Sequence, residues 1–77
     1  MVEKILEFIR EINPYEDIEE NTQLISGGIL DSLTLVLLIN EIENEYRIQI
    51  PEEMLKPEYF ETPNQIVEFI EKICNMK

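Results

Sequence analysis

Residues 28–46 read GILDSLTLVLLINEIENEY, and this segment predicts the central helix of the fold. Asp31 is a favourable N-cap residue, so a helix is expected to begin at Ser32 and to run to about Tyr46. At 100° per residue, one face of this helix carries an apolar stripe suited to a protein core. The stripe consists of Leu35, Leu38, Ile39, Ile42 and Tyr46.

A second apolar group lies on the opposite side of the same helix. Val36 and Leu37 fall within roughly 60° of Leu33, together with Asn40 and Asn44. One helix of a 77-residue domain buries one face, so two interpretations are open. Either the preceding loop folds over the three apolar side chains, or they form an exposed patch that binds a partner. We favour the exposed patch, because contiguous exposed apolar surface marks interaction sites.

Two further helices flank this segment. Apolar residues at helical spacing predict a first helix over residues 2–12, which the Asn-Pro pair ending at Pro14 terminates. A last helix is expected to begin after Thr62, which is followed by Pro63 at the first helical position and Gln65 at the third. Both helices carry one apolar face toward a common core.

The connections differ in length. Residues 47–51 are expected to be extended without forming a sheet, and residues 52–61 to contain a short, irregular helical turn. Residues 14–31 form a long first loop without sustained periodicity. The prediction is therefore a single all-α domain over residues 1–77, a small bundle of three main helices plus one short helix. Four side chains are expected to pin the long loop to the core: Tyr15, Ile18, Leu24 and Ile25.

Composition excludes several classes of function. Six basic residues against 17 acidic ones give a net charge of −11, which disfavours nucleic acid and anionic membranes and favours partners with basic patches. Histidine is absent and Cys74 is the single cysteine, so a zinc site is not expected. No window fits the EF-hand pattern, so no metal site of any kind is predicted. No apolar run approaches 18 residues, which predicts a soluble, cytoplasmic protein without membrane insertion.

Ser32 is the candidate functional residue. A serine hydrolase needs an adjacent base, usually histidine, and this chain has none, so no catalytic residue is predicted. A phosphate ester on Ser32 would instead meet backbone N–H groups and the positive end of the helix dipole. The helix start therefore allows covalent modification of Ser32 but does not require it, since serine is also common at helix starts for structural reasons.

These segments together resemble the acyl carrier protein family. The resemblance rests on the GILDSL stretch at residues 28–33, the apolar helix that ends in IENEY at residues 42–46, and the Ile-Pro pair at residues 50–51. It covers nearly the whole chain, including the long first loop and the Thr-Pro start of the last helix. Its most specific part is Asp-Ser-Leu at the start of the second helix.

The resemblance implies that Ser32 carries a 4′-phosphopantetheine arm derived from coenzyme A, with Asp31 and Leu33 as motif flanks. The thiol of such an arm holds an acyl or aminoacyl group as a thioester. The chain would then be a monomeric carrier and not an enzyme. Its implied partners are a phosphopantetheinyl transferase, an adenylating enzyme that loads the acyl or aminoacyl group, and an acyltransferase or synthase.

Contacts with these partners are expected at Leu33, Val36, Leu37 and Glu41. Many fatty-acid carriers have glutamate where Leu37 stands, so the leucine indicates a more apolar docking surface and a dedicated pathway enzyme. Residues 58–67, EYFETPNQIV, resemble the corresponding stretch of D-alanyl carrier proteins. The resemblance leaves open whether lipid, polyketide, peptide or cell-wall chemistry is served.

Two other interpretations compete with a carrier. A non-carrier acidic helical module would use the same patch to bind a protein groove but would not need Ser32. An enzyme is disfavoured by the lack of histidine and of a paired-carboxylate pocket.

Overall fold

The computed structural model describes residues 1–75, and it is built from three α-helices joined around one core. The helices are α1 (Val2–Ile12), α2 (Ser32–Tyr46) and α3 (Pro63–Asn75). Two short 3₁₀ helices, Glu52–Met54 and Pro57–Phe60, lie between α2 and α3. No strand occurs within residues 1–75, so the predicted all-α architecture is confirmed.

Local hydrogen bonds explain why the helices begin and end where they do. Asp31 caps α2, and Thr62 caps α3 by accepting the amide hydrogen of Gln65 at an N–O distance of 3.1 Å. α1 ends at Asn13, whose amide donates to the Ile9 carbonyl. α2 ends at Arg47, which adopts the left-handed conformation with φ 53°. The predicted bounds of the first two helices and the start of the third are confirmed because these local signals are strong.

The core is formed by aliphatic side chains from all three helices and from the segments between them, together with three phenylalanines, Phe8, Phe60 and Phe69. Phe60, the last residue of the second 3₁₀ helix, is fully buried and meets Phe69 of α3 edge-on at a ring-centroid distance of 5.3 Å. Tyr59 stacks on the same Phe69 ring at 5.0 Å. This aromatic cluster attaches the irregular segment before α3 to the bundle.

The long first loop, residues 13–31, is tied to the core by three buried side chains, Ile18, Leu24 and Leu30. Ile25 is partly buried and packs against the same core. The prediction that Tyr15 pins the loop was wrong, because its side chain is 99% exposed. The turn around Pro14 directs Tyr15 outward, and Leu30 anchors the far end of the loop instead.

The two sides of α2 differ as the wheel predicts. Leu38, Ile39 and Ile42 are buried, and Leu35 and Tyr46 pack partly against them.

None of the helices within residues 1–75 combines the length and the apolar character that crossing a membrane requires.

Candidate functional site

Ser32 is the first residue of α2, and its side chain is exposed. Its hydroxyl makes no hydrogen bond with any residue of the described part of the chain. The helix start therefore presents a free hydroxyl to solvent. A hydroxyl without a neighbouring base is not activated as a nucleophile by this chain, so any reaction at Ser32 needs an enzyme that supplies the base.

Asp31 and Thr34 hold the helix start in one geometry. The Thr34 amide donates to Asp31 Oδ1 at 2.9 Å, and the Asp31 amide donates to Thr34 Oγ1 at 2.8 Å, which completes a reciprocal capping box. The Thr34 hydroxyl also donates to Asp31 Oδ1 at 3.0 Å. Ser32 is thus flanked by a residue whose backbone and side chain are both held by hydrogen bonds.

The pKa of the Asp31 carboxyl is lowered from its ordinary value of 3.8. The main cause is the hydrogen bond from the Thr34 amide, and the Thr34 hydroxyl acts in the same direction. Asp31 is therefore ionised at neutral pH and places a negative charge at the positive end of the α2 dipole.

Three apolar side chains next to Ser32 are exposed: Leu33 by 69%, Val36 by 53% and Leu37 by 48%. The long loop does not cover them, so the first of the two interpretations of this face was wrong. Glu41 lies further along α2 and is also exposed. The structure thus places the predicted contact residues on the accessible side of one helix, beginning one residue after Ser32.

The loop before Ser32 ends in a closed turn. The Leu24 carbonyl accepts hydrogen bonds from the amides of Ile29, at 2.9 Å, and Leu30, at 2.8 Å. Gly28 has φ 75°, a conformation that glycine adopts without strain. A Cβ on Gly27 would overlap with the carbonyl oxygen of Gln23. Both glycines are therefore required by this turn, which ends directly before Asp31.

Comparison with known proteins identifies the family to which the chain belongs. A family model described as the phosphopantetheine attachment site matches residues 3–70. The chain belongs to this family of carrier proteins. Among curated proteins, the D-alanyl carrier protein of Enterococcus faecalis (strain ATCC 700802 / V583) is 34% identical over 73 residues, which cover 92% of this chain and 94% of that protein. The D-alanyl carrier protein of Streptococcus uberis (strain ATCC BAA-854 / 0140J) is 37% identical over 62 residues, 78% of each chain.

A solved structure is also similar to the carrier. A chain in a crystal structure described as that of a FAD-dependent dehydrogenase is 36% identical and superposes with a TM-score of 0.75. The match covers 86% of the carrier and 97% of that chain, so the two chains have nearly the same length.

The carrier's cofactor is 4′-phosphopantetheine, the group after which the family is described. When bound, this group supplies a terminal thiol that holds an acyl or aminoacyl cargo as a thioester. The start of α2 fits it, because an exposed hydroxyl with no hydrogen-bond partner in the described chain leaves room for a phosphodiester on a helix N-terminus.

Sequence reasoning missed two parts of this site. Thr34 completes the capping box, and its position three residues after an N-cap aspartate was the available signal. The hydrogen bonds of Ser26 with Glu61 join residues 35 positions apart in the chain, and no local pattern indicates such a pair.

Proposed function

We propose that Ser32 is the residue to which 4′-phosphopantetheine is attached. The observation that carries this proposal is the free, exposed hydroxyl at the first position of α2, between the capped Asp31 and the exposed Leu33. The other serine, Ser26, supports it by contrast, because the Ser26 hydroxyl is hydrogen-bonded to Glu61 at 2.7 Å.

In the attachment reaction, Ser32 Oγ attacks the diphosphate of coenzyme A. A new bond forms between Oγ and phosphorus, and the bond from that phosphorus to the bridging oxygen breaks. Adenosine 3′,5′-bisphosphate leaves, and the hydroxyl proton passes to a base of the transferase. The exposed patch of Leu33, Val36 and Leu37 gives the transferase an apolar contact beside the reacting atom.

We further propose that the cargo is D-alanine. Support comes from the D-alanyl carrier proteins of three genera, Enterococcus, Listeria and Streptococcus, which are 32–37% identical to this chain. The apolar Leu37 on the docking face adds support, because it suits a dedicated loading enzyme. The partners are then an adenylating enzyme that activates D-alanine and an acyltransferase that removes it. With a net charge of −11, the carrier is steered toward basic surfaces on these enzymes.

A loading assay tests the choice of cargo. The carrier bearing the arm is incubated with ATP, radiolabelled D-alanine and a D-alanine-adenylating enzyme, and Ser32→Ala is the control. Label is expected on the wild-type protein and not on the variant, and neutral hydroxylamine is expected to release it, because a thioester is cleaved under those conditions. Failure to load D-alanine while another amino or acyl group is loaded would contradict this cargo.

A second candidate follows from the similar chain in the structure described as that of a FAD-dependent dehydrogenase. In that case the cargo would be oxidised while tethered: it would lose a hydride, which carries both electrons, and a proton, and FAD would become FADH2. Bleaching of the oxidised flavin by the loaded carrier, and not by the unloaded one, would favour this function over D-alanine transfer.

A further inference from the structure

The turn that precedes Ser32 is held against the start of α3 by one residue, Glu61. The amide of Ser26 donates to Glu61 Oε1 at 3.0 Å, and the Ser26 hydroxyl donates to the same oxygen at 2.7 Å. The Leu24 amide donates to the Glu61 carbonyl at 2.6 Å. We call this set of three residues the Glu61 clasp.

The clasp acts on the closed turn of residues 24–30. The Leu24 carbonyl accepts two amide hydrogens from the far end of that turn, Ile29 and Leu30, so the two ends are joined. Leu30 is buried and is followed at once by Asp31, the N-cap of α2. Residue 24 therefore connects Glu61 on one side with the start of α2 on the other, through backbone hydrogen bonds alone.

The Glu61 side chain accepts hydrogen bonds from the amide and the hydroxyl of Ser26, two donors that form no hydrogen bond within the turn. The two hydrogen bonds from Ser26 lower the pKa of the Glu61 carboxyl below its ordinary value of 4.5. The carboxylate is thus ionised at neutral pH, and hydrogen bonds to a charged acceptor are stronger than those between neutral groups.

A neighbouring pair of bonds reinforces the same junction. The Asn64 amide donates to the Glu20 carbonyl at 3.1 Å, and Asn64 Nδ2 donates to Asn21 Oδ1 at 3.0 Å. These bonds attach the loop upstream of the turn to α3, and the clasp attaches the turn itself. Without the Glu61 side chain, the turn would keep its internal bonds and the backbone bond from Leu24 to the Glu61 carbonyl, but it would lose both hydrogen bonds from Ser26.

We propose that Glu61 is a positioning residue for modification at Ser32: it holds the 24–30 turn, and with it the start of α2, in the orientation that the transferase binds. This inference rests on the proposed role of Ser32. Its consequence is kinetic. If the docking-competent orientation is only partly populated, the apparent affinity falls in proportion to that population while the chemical step is unchanged.

The test compares the kinetics of phosphopantetheine transfer in four variants: Glu61→Ala, Ser26→Ala, the double variant, and Ser26→Thr. Glu58→Ala is the matched control, because Glu58 is an exposed glutamate of the adjacent 3₁₀ helix. We expect Glu61→Ala and Ser26→Ala to raise KM about three- to tenfold with kcat retained. The double variant should be no worse than Glu61→Ala alone, because Glu61→Ala removes both hydrogen bonds from Ser26, including the hydroxyl bond that Ser26→Ala removes. Ser26→Thr keeps the hydroxyl and should restore the wild-type KM.

Amide hydrogen exchange gives a readout that does not depend on the transferase. In Glu61→Ala and Ser26→Ala, the amides of Leu24, Ile29 and Leu30 should exchange faster, while that of Ile9 in α1 should not change. Should Glu61→Ala fail to fold, the Ser26→Ala and Ser26→Thr pair decides the matter. Wild-type KM in the single variants, an equal change in Glu58→Ala, or additive effects in the double variant would overturn the inference. If wild-type protein gains no arm at all, the role of Ser32 is what fails, and the exchange data still report on the clasp.

Discussion

At the scale of the residue, the site depends on two side chains that form the helix cap, Asp31 and Thr34, and on one that does not, Ser32. The backbone amides of Asp31 and Thr34 each donate to the other residue's side chain, with N–O distances of 2.8 and 2.9 Å, and these bonds cap the start of α2. Ser32, between them, is left without a partner in the described chain. Because the Ser32 side chain makes no such contact, its modification or replacement should change the free energy of unfolding little.

The charge of Asp31 should appear in the pH dependence of stability. Its pKa is lower in the folded chain, so its stabilising contribution is complete above the unfolded pKa and is lost as pH falls through the folded one. Asp31→Asn keeps a capping side chain but cannot titrate. We expect this variant to lose less stability than wild type between about pH 5 and pH 2, measured as the urea midpoint at each pH.

Protonation of the other carboxyl groups also changes stability, so a charge-matched control is needed. Asp17→Asn provides one, because Asp17 is the other aspartate of the chain and lies exposed in the first loop. Its midpoints should follow those of wild type across the same pH range. Identical pH profiles for the two variants would show that the capping carboxylate makes no special contribution.

At the scale of the element, α2 has one face buried in the core and one exposed apolar face, which we propose binds partners. Leu37 is 48% exposed, so Leu37→Glu should change the free energy of unfolding by no more than roughly 0.5 kcal/mol. The same variant should be loaded poorly by the adenylating enzyme, through faster dissociation. Transfer of the arm by a broad-specificity transferase should suffer less.

Ile42→Ala is the complementary change on the other face of α2. Ile42 is fully buried, and its truncation should lower the free energy of unfolding by about 2–5 kcal/mol in urea titrations. Should Leu37→Glu destabilise the protein as much as Ile42→Ala does, the division into two faces is wrong. A Leu37→Glu variant that folds and is loaded at the wild-type rate would instead show that the adenylating enzyme binds elsewhere.

The elements also show which features of the fold a sequence can reveal. Helix bounds were predictable because caps and prolines act within a few residues, as at Asp31 and Thr62. The exposed patch was predictable from 100° spacing. The path of the long loop was not, because burial of Leu30 and exposure of Tyr15 depend on contacts with distant helices. The Glu61–Ser26 hydrogen bonds span 35 residues and have no local signature.

At the scale of the whole molecule, the net charge of −11 on 77 residues opposes compaction through self-repulsion. Lys4 and Glu7 form an ion pair at 3.7 Å, but 17 acidic residues far outnumber the six basic residues that could pair with them. Added sodium chloride should therefore raise the melting temperature, mostly below about 0.2 M, where the screening length falls from about 30 Å to about 8 Å.

A charge-reduced variant separates screening from other salt effects. Glu52→Lys and Glu53→Lys together replace two exposed acids of the first 3₁₀ helix. The double variant should show a smaller rise of melting temperature with salt than wild type. A melting temperature that does not respond to salt in either protein would show that the charges lie too far apart to destabilise the fold.

Intact-mass spectrometry with fragmentation is the most direct test of whether Ser32 carries the arm. Wild-type protein, Ser32→Ala and Ser26→Ala are each incubated to completion with coenzyme A and a broad-specificity phosphopantetheinyl transferase. Wild type and Ser26→Ala should gain the mass of one phosphopantetheine, located by fragmentation at Ser32, while Ser32→Ala should gain nothing and retain its helical circular dichroism. A mass gain on Ser32→Ala, or none on the wild-type protein, would contradict the claim.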